Sequence, residues 1–203
     1  MVEKQQGKLI ILTGPSGAGK DEVMKKLLDR PNFDRIVTCT SRPIRPGEKN
    51  GKDYHFMTRQ EFESMVAAGQ LFEYVEYAGD YKGTKTKDIL SPLSENRNVV
   101  WRIDPSRAAV ITQTISETLD REMAEQLLAR TLVIYLGVPS LFTLLDRQRR
   151  RRGSDPQEIL KRIREDWGEW QNNKLRFMHV VVNQENRLDQ TIAEVMGIIA
   201  NGA

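Results

Sequence analysis

The sequence has one cysteine, no long apolar run and almost no charge imbalance, and each shortage excludes something. The lone thiol, Cys39, rules out an internal disulfide and a thiolate-rich metal site. No run approaches the ~18 apolar residues that a membrane helix needs. The opening from Met1 to Lys8 is polar and charged and leads into a strand, so no secretory leader is expected. These features place the protein, as an expectation, in the cytoplasm and away from membranes. With 31 Lys and Arg against 28 Asp and Glu the net charge is +3, too mild to argue for nucleic acid but suited to an anionic small molecule. Repeats and low-complexity segments are also missing. What remains, 39% hydrophobic and 29% charged over 203 residues, is the composition of a folded core with room for one small insertion.

Short apolar runs alternate with helical patterns. Lys8–Thr13 reads as a buried parallel strand that ends at a glycine, and Val99–Ile103, Leu132–Leu136 and His179–Val182 are further β-branched runs. Asp21–Asp29 has helical spacing, as does the stretch from Ala108 to Arg130, where Val110, Ile111, Ile115, Leu119, Met123 and Leu127 recur on one face. A further helical region is expected from about Leu141 to Phe177. The strand–loop–helix opening predicts an α/β fold with a mainly parallel sheet. Between Thr38 and about Ser91 the texture changes to glycine- and tyrosine-rich mixed segments, the mark of an inserted subdomain.

The loop after the first strand carries the clearest chemistry. Gly14-Pro15-Ser16-Gly17-Ala18-Gly19-Lys20 fits G-x-x-x-x-G-K between strand and helix. The glycines let successive backbone N–H groups turn inward around phosphates, the helix N-terminus adds a favourable partial charge, and Lys20 reaches the β- and γ-phosphates of a nucleotide. The following residue, normally Ser or Thr for Mg²⁺, is Asp21. Two readings stand side by side: a hard oxygen ligand for Mg²⁺, or an acid that complements the dipole of the first helical turn.

Taken with this loop, SRPIRPGEKNGKDYHF at 41–56, GQLFEYVEYAGDYKGT at 69–84, Arg102-Ile103-Asp104, RRRGSD at 150–155 and VVVN at 180–183 make the chain resemble guanylate kinase along nearly its whole length. The resemblance implies a P-loop NTPase-type parallel sheet flanked by helices, an inserted mixed α/β nucleoside-monophosphate-binding subdomain and a small helical lid. It implies core segments at 1–37, 93–145 and 162–203, a GMP-binding subdomain at 38–92 and a lid at 146–161. ATP and GMP are the implied substrates, Mg²⁺ the cofactor, and monomer or homodimer the assembly.

The middle blocks carry the acceptor chemistry. Arg42 and Arg45 are two guanidinium groups in a proline-framed loop, suited to fork onto a phosphate, and Tyr54 adds a phenolic donor. Glu73 can accept both N1–H and N2–H₂ of guanine, a donor pair that adenine does not present. Thr38 and Thr84 supply hydroxyls for O6 and the ring nitrogens, and Asp104 accepts from the exocyclic amine. By resemblance these are the GMP-binding positions. Two departures stand out: Lys82 replaces a second phosphate-binding tyrosine, and Arg102 replaces an acid two positions before Asp104. Pro105-Ser106-Arg107 also departs, and the helical stretch after it is longer than usual.

The run Arg147-Gln148-Arg149-Arg150-Arg151-Arg152 admits three readings. A nucleic-acid patch is disfavoured by the mild net charge and the lack of interleaved aromatics; a solvated helix face is the second. The third follows the resemblance: Arg150, Arg152 and Arg162 close over ATP and neutralise the transferring phosphoryl group. Asn183 is expected on the adenine side. Two rivals remain: a P-loop kinase for another phosphorylated acceptor such as ribose 1,5-bisphosphate, or a catalytically inactive guanylate-kinase-like binding module.

Overall fold

The computed structural model describes residues 6–77, 79–151, 157, 160–161, 163–165, 167–168 and 179–202. Its first strand, β1 (Leu9–Thr13), is inaccessible to solvent along its whole length. Strand residues alternate in direction, and here the alternation divides the core. Ile10 and Leu12 pack with Val23 and Leu27 of α1 (Lys20–Leu28) and Val195 of the last helix, α8 (Leu188–Asn201). Leu9 and Ile11 pack on the other face with Ile89 and Leu93 of α3 (Thr86–Ser94) and Ile111 and Ile115 of α5 (Ile111–Thr118). A strand buried on both sides must be central. β1 lies between β7 (Asn98–Arg102) and β8 (Thr131–Gly137), with β2 (Phe33–Arg35) and β9 (His179–Val182) outside them. All four pairings are parallel, so the carboxyl ends of the strands open on one edge.

A second, four-stranded sheet lies between β2 and α3 in the sequence. Its order is β4 (His55–Phe56), β3 (Cys39–Thr40), β6 (Asp80–Lys85), β5 (Leu71–Tyr77), with β3–β4 parallel and the rest antiparallel. Its small core joins Cys39, Leu71 and Phe62 of α2 (Arg59–Ala67), and α2 starts with a reciprocal capping box between Thr58 and Glu61. This is the expected α/β architecture, with a mixed insertion beside a parallel sheet.

The structure corrects one expectation. The stretch 108–130 is not a single helix but three: α4 (Pro105–Ala109), α5, and α6 (Arg121–Leu128). Leu119 is extended, and the Asp120 carboxylate accepts from the Met123 N–H at 3.0 Å, which starts a new helix. The apolar spacing runs through the break because Ile111, Ile115, Ala124 and Leu127 all face the same core. Beyond them α7 (Leu141–Arg151) carries the start of the arginine run, and the described residues from 160 to 168 are helical. Among the described residues no helix is long and apolar enough to cross a membrane.

Candidate active site

In an open parallel sheet, ligands settle where neighbouring connections diverge beyond the strand ends. Here that place is the end of β1, between β7 and β8, and a cleft of about 430 Å³ opens there. Its floor is the loop 14–19. Gly14 has φ +133°, and a Cβ there would lie 2.1 Å from the Leu136 carbonyl oxygen, so only glycine lets β1 turn away so tightly. Gly19 has φ +92° and is the cap of α1; no side chain caps that end, so the first-turn amides point at the cleft.

Lys20 folds back on its own loop. Its Nζ donates to the Pro15 carbonyl at 2.8 Å and to the Gly14 carbonyl. Asp21, half-exposed, is ion-paired with Arg102 at the end of β7.

The loop is braced from behind by three residues distant in sequence. Arg147 on α7 donates to the carbonyls of Gly17 and Ala18, both at 3.3 Å, and to Asn183 O at 2.9 Å. Gln148 reaches Ser16 O at 3.2 Å. Asn183, 6% exposed, donates from Nδ2 to Ala18 O at 2.8 Å and accepts from Thr191 at 3.1 Å. Its amide is thus committed to the loop and to α8. Burial pushes the Arg147 guanidinium down from its ordinary pKa. The bracing role of these three residues was not expected. The signal for Arg147 and Gln148 was their helical spacing from Leu141, Leu144 and Leu145, which turns them inward.

The other wall is built by the second sheet with its adjoining loops and by the chain just after β7. Thr38, Tyr54, Lys82 and Asp104 line the same cleft as Gly14, Ser16, Gly17, Gly19, Lys20 and Asp21. Arg42 stands just behind, its guanidinium 5.4 Å from the ring centres of Tyr54 and Phe56 and bound in a fork to Glu48 at 2.8 and 3.0 Å. That pairing raises the Arg42 pKa further and lowers that of Glu48. Arg45 is exposed, and its backbone N–H also donates to Glu48. Asp104 caps α4, accepting from the Arg107 N–H at 3.0 Å.

Glu73 and Thr84 are direct cross-strand partners on β5 and β6, so their side chains share a face. Glu73 is ion-paired with Arg107, which lines the cleft. Glu73 Oε1 and Thr84 Oγ1 are buried with no hydrogen-bond partner among the described residues. Arg150 does not enter this cleft; it bonds Glu185 at 2.9 Å and pairs with Asp146. With Asn183 it borders a second hollow on the outer side of the loop. Arg152 and Arg162 lie outside the described residues, and Pro15 and Ala18 contribute backbone to the loop. Among the described residues no cluster of three or more acids, histidines or cysteines could hold a metal unaided.

Comparison with known proteins is consistent throughout. The family model described as guanylate kinase matches residues 6–201. A guanylate kinase of Nostoc sp. is 39% identical over 157 residues, 77% of this chain and 72% of that relative. That of Symbiobacterium thermophilum is 30% identical over 200 residues, 98% and 87% of the two chains. The crystal structure of guanylate kinase from Anaplasma phagocytophilum superposes with a TM-score of 0.64 at 23% identity, covering 97% of this chain and 86% of that one, which shows the shared fold.

Proposed function

This chain belongs to the guanylate kinase family and is an ATP:GMP phosphotransferase, and from that premise we propose how its cleft divides the work. ATP is held by the loop amides of 14–19 and by Lys20, which leaves its own carbonyls for the β- and γ-phosphates. The GMP phosphate is held by Arg42, Arg45, Tyr54 and Lys82. Glu73, Thr38, Thr84 and Asp104 read guanine. The attacking atom is a phosphate oxygen that is already an anion, so no general base is needed. Transfer then depends on alignment and charge neutralisation. Arg150, Arg152 and Arg162, from a lid at 146–161 and the core segment 162–203, supply the remaining positive charge and exclude water.

The observation that carries this assignment is the pair of buried, unpartnered oxygens on Glu73 and Thr84. Buried polar atoms without partners are costly and rare in folded proteins. N1–H and N2–H₂ of guanine would bring donors to the unmatched oxygen of a carboxylate that adjoins the cleft through Arg107.

Mg²⁺ fits the residues present. Asp21 offers one hard oxygen at the cleft, and the lack of an acidic cluster among the described residues suits an ion that takes most of its ligands from phosphates and water. Bound with ATP, Mg²⁺ draws charge from the phosphates. Asp21 would hold it, and Arg102 is the partner that must then yield. A buried single cysteine and an anionic substrate pair suit a reducing, aqueous compartment, the cytoplasm.

The test is ADP formation from ATP and Mg²⁺ with GMP, AMP, CMP, UMP and ribose 1,5-bisphosphate offered separately. GMP alone should support it strongly. Glu73→Gln should lower kcat/KM for GMP by about 10²–10³-fold, two charge-assisted hydrogen bonds being weakened. Full GMP activity in that variant, or ADP formation with ribose 1,5-bisphosphate instead, would sink the assignment.

A further inference from the structure

We infer that Arg107 is a second base-reading residue, which with Glu73 forms a composite edge that recognises O6 of guanine beside its N1–H and amino groups. This rests on the GMP reading above and adds a residue to it. Arg107 sits in the first turn of α4, its backbone fixed by the Asp104 cap at 3.0 Å. Its side chain lines the cleft, is 29% exposed, and meets Glu73 Oε2, whose own side chain is 12% exposed.

As a purely structural ion pair this arrangement is incomplete. Enclosure pushes the Arg107 pKa down from its ordinary value. Glu73 keeps one oxygen buried and unmatched. Buried ion pairs repay their desolvation only when the remaining donors and acceptors are also satisfied. The missing partners are groups of a ligand.

The order of those groups identifies the ligand edge. Read along the pair, the protein offers a guanidinium N–H donor and then two carboxylate oxygens as acceptors. Guanine offers an acceptor, O6, and then two donors, N1–H and the amino group. The match is the one cytosine makes with guanine. A guanidinium has five N–H donors, so Arg107 can keep Glu73 and still donate to O6. A base with an amino group at the six-position sets a donor against Arg107 and is rejected by both residues.

The experiment compares GMP with two analogues, each lacking one half of the edge. 6-Thio-GMP replaces O6 by a poor acceptor, and IMP lacks the amino group. The wild-type enzyme should prefer GMP over each by about tenfold or more in kcat/KM and in binding measured by calorimetry. Arg107→Met keeps length and removes every donor. It should lose about 10- to 100-fold with GMP, and its preference over 6-thio-GMP should shrink several-fold, by the share of O6 recognition that Arg107 adds to the threonine hydroxyls, while its preference over IMP persists. Arg107→Lys, with one donor kept, should fall between. If Arg107 only positions Glu73, the IMP preference collapses and the 6-thio preference stays, which overturns the inference. Equal wild-type binding of GMP and 6-thio-GMP overturns it without any variant. A wild-type enzyme that ignores GMP removes the underlying reading as well.

Discussion

Replacing Asn183 by alanine strips two buried hydrogen bonds from the back of the phosphate loop. Nδ2 no longer meets Ala18 O at 2.8 Å, and Thr191 loses its acceptor at 3.1 Å. A net intramolecular hydrogen bond contributes about 1 kcal/mol, and a buried group left unmatched costs about 1–3 kcal/mol. Neither orphan is wholly abandoned. Arg147 still reaches Ala18 O at 3.3 Å, and Thr191 also donates to Arg187 O at 3.2 Å. The cost therefore belongs near the low end, about 2 kcal/mol, which for a chain of this length lowers Tm by about 4–8 °C. Because the lost support lies under the loop amides, ATP affinity should drop while GMP affinity holds. Arg147→Ala removes the other support of the same carbonyl, so the double variant should lose more than the sum of the singles, by about 0.5 kcal/mol or more. Circular-dichroism melts and calorimetric titration with each nucleotide read both effects. A Tm within about 1 °C of wild type, or strict additivity with Arg147→Ala, would refute the bracing role.

Two further outcomes concern the second sheet. Burial holds the His55 pKa below its ordinary 6.5, with Lys85 adding to the effect. The unfolded chain therefore takes up the proton first, so this contribution is present above pH 6.5 and drains away as the pH falls below it. His55→Gln should flatten the fall in Tm between about pH 6.5 and 5; an identical slope in the variant removes the explanation. Cys39 is fully buried, and burial pushes its thiol up to about 11. At pH 8 a disulfide reagent should label it at once in guanidinium chloride but only through slow opening of the sheet in the native protein. Prompt stoichiometric labelling of the folded chain would contradict this packing.

What could be read from the sequence followed from local patterns. The runs that became β1, β7 and β8 were visible because a strand buried on both faces is apolar at nearly every position, β9 because its run of valines favours a strand even at the exposed edge, and the phosphate loop because its conformation demands glycine at fixed spacing. The break at Leu119 was hidden, since the same core face is served before and after it and the Asp120 cap is a single residue. Long-range pairing was hidden as well. Nothing in the local text joins Asp21 to Arg102, Glu73 to Arg107, or Arg147 to a loop 130 residues earlier. Two of the expected lid arginines fall outside the described residues, and Arg150 faces Glu185 rather than the cleft.

Four cations at or beside the cleft are already engaged: Lys20 on carbonyls of its own loop, Arg42 on Glu48, Arg102 on Asp21, Arg107 on Glu73. A stray inorganic anion that approaches any of these four meets a charge already paired. To bind, it must break an existing contact for a single replacement, and the exchange gains little. A nucleotide replaces several contacts in one event, so selectivity for the whole molecule over its fragments is inherent in the resting state. The same contacts re-form as product departs. Each turnover thus ends with the protein supplying its own competitor for the leaving phosphate, which shortens residence on the enzyme.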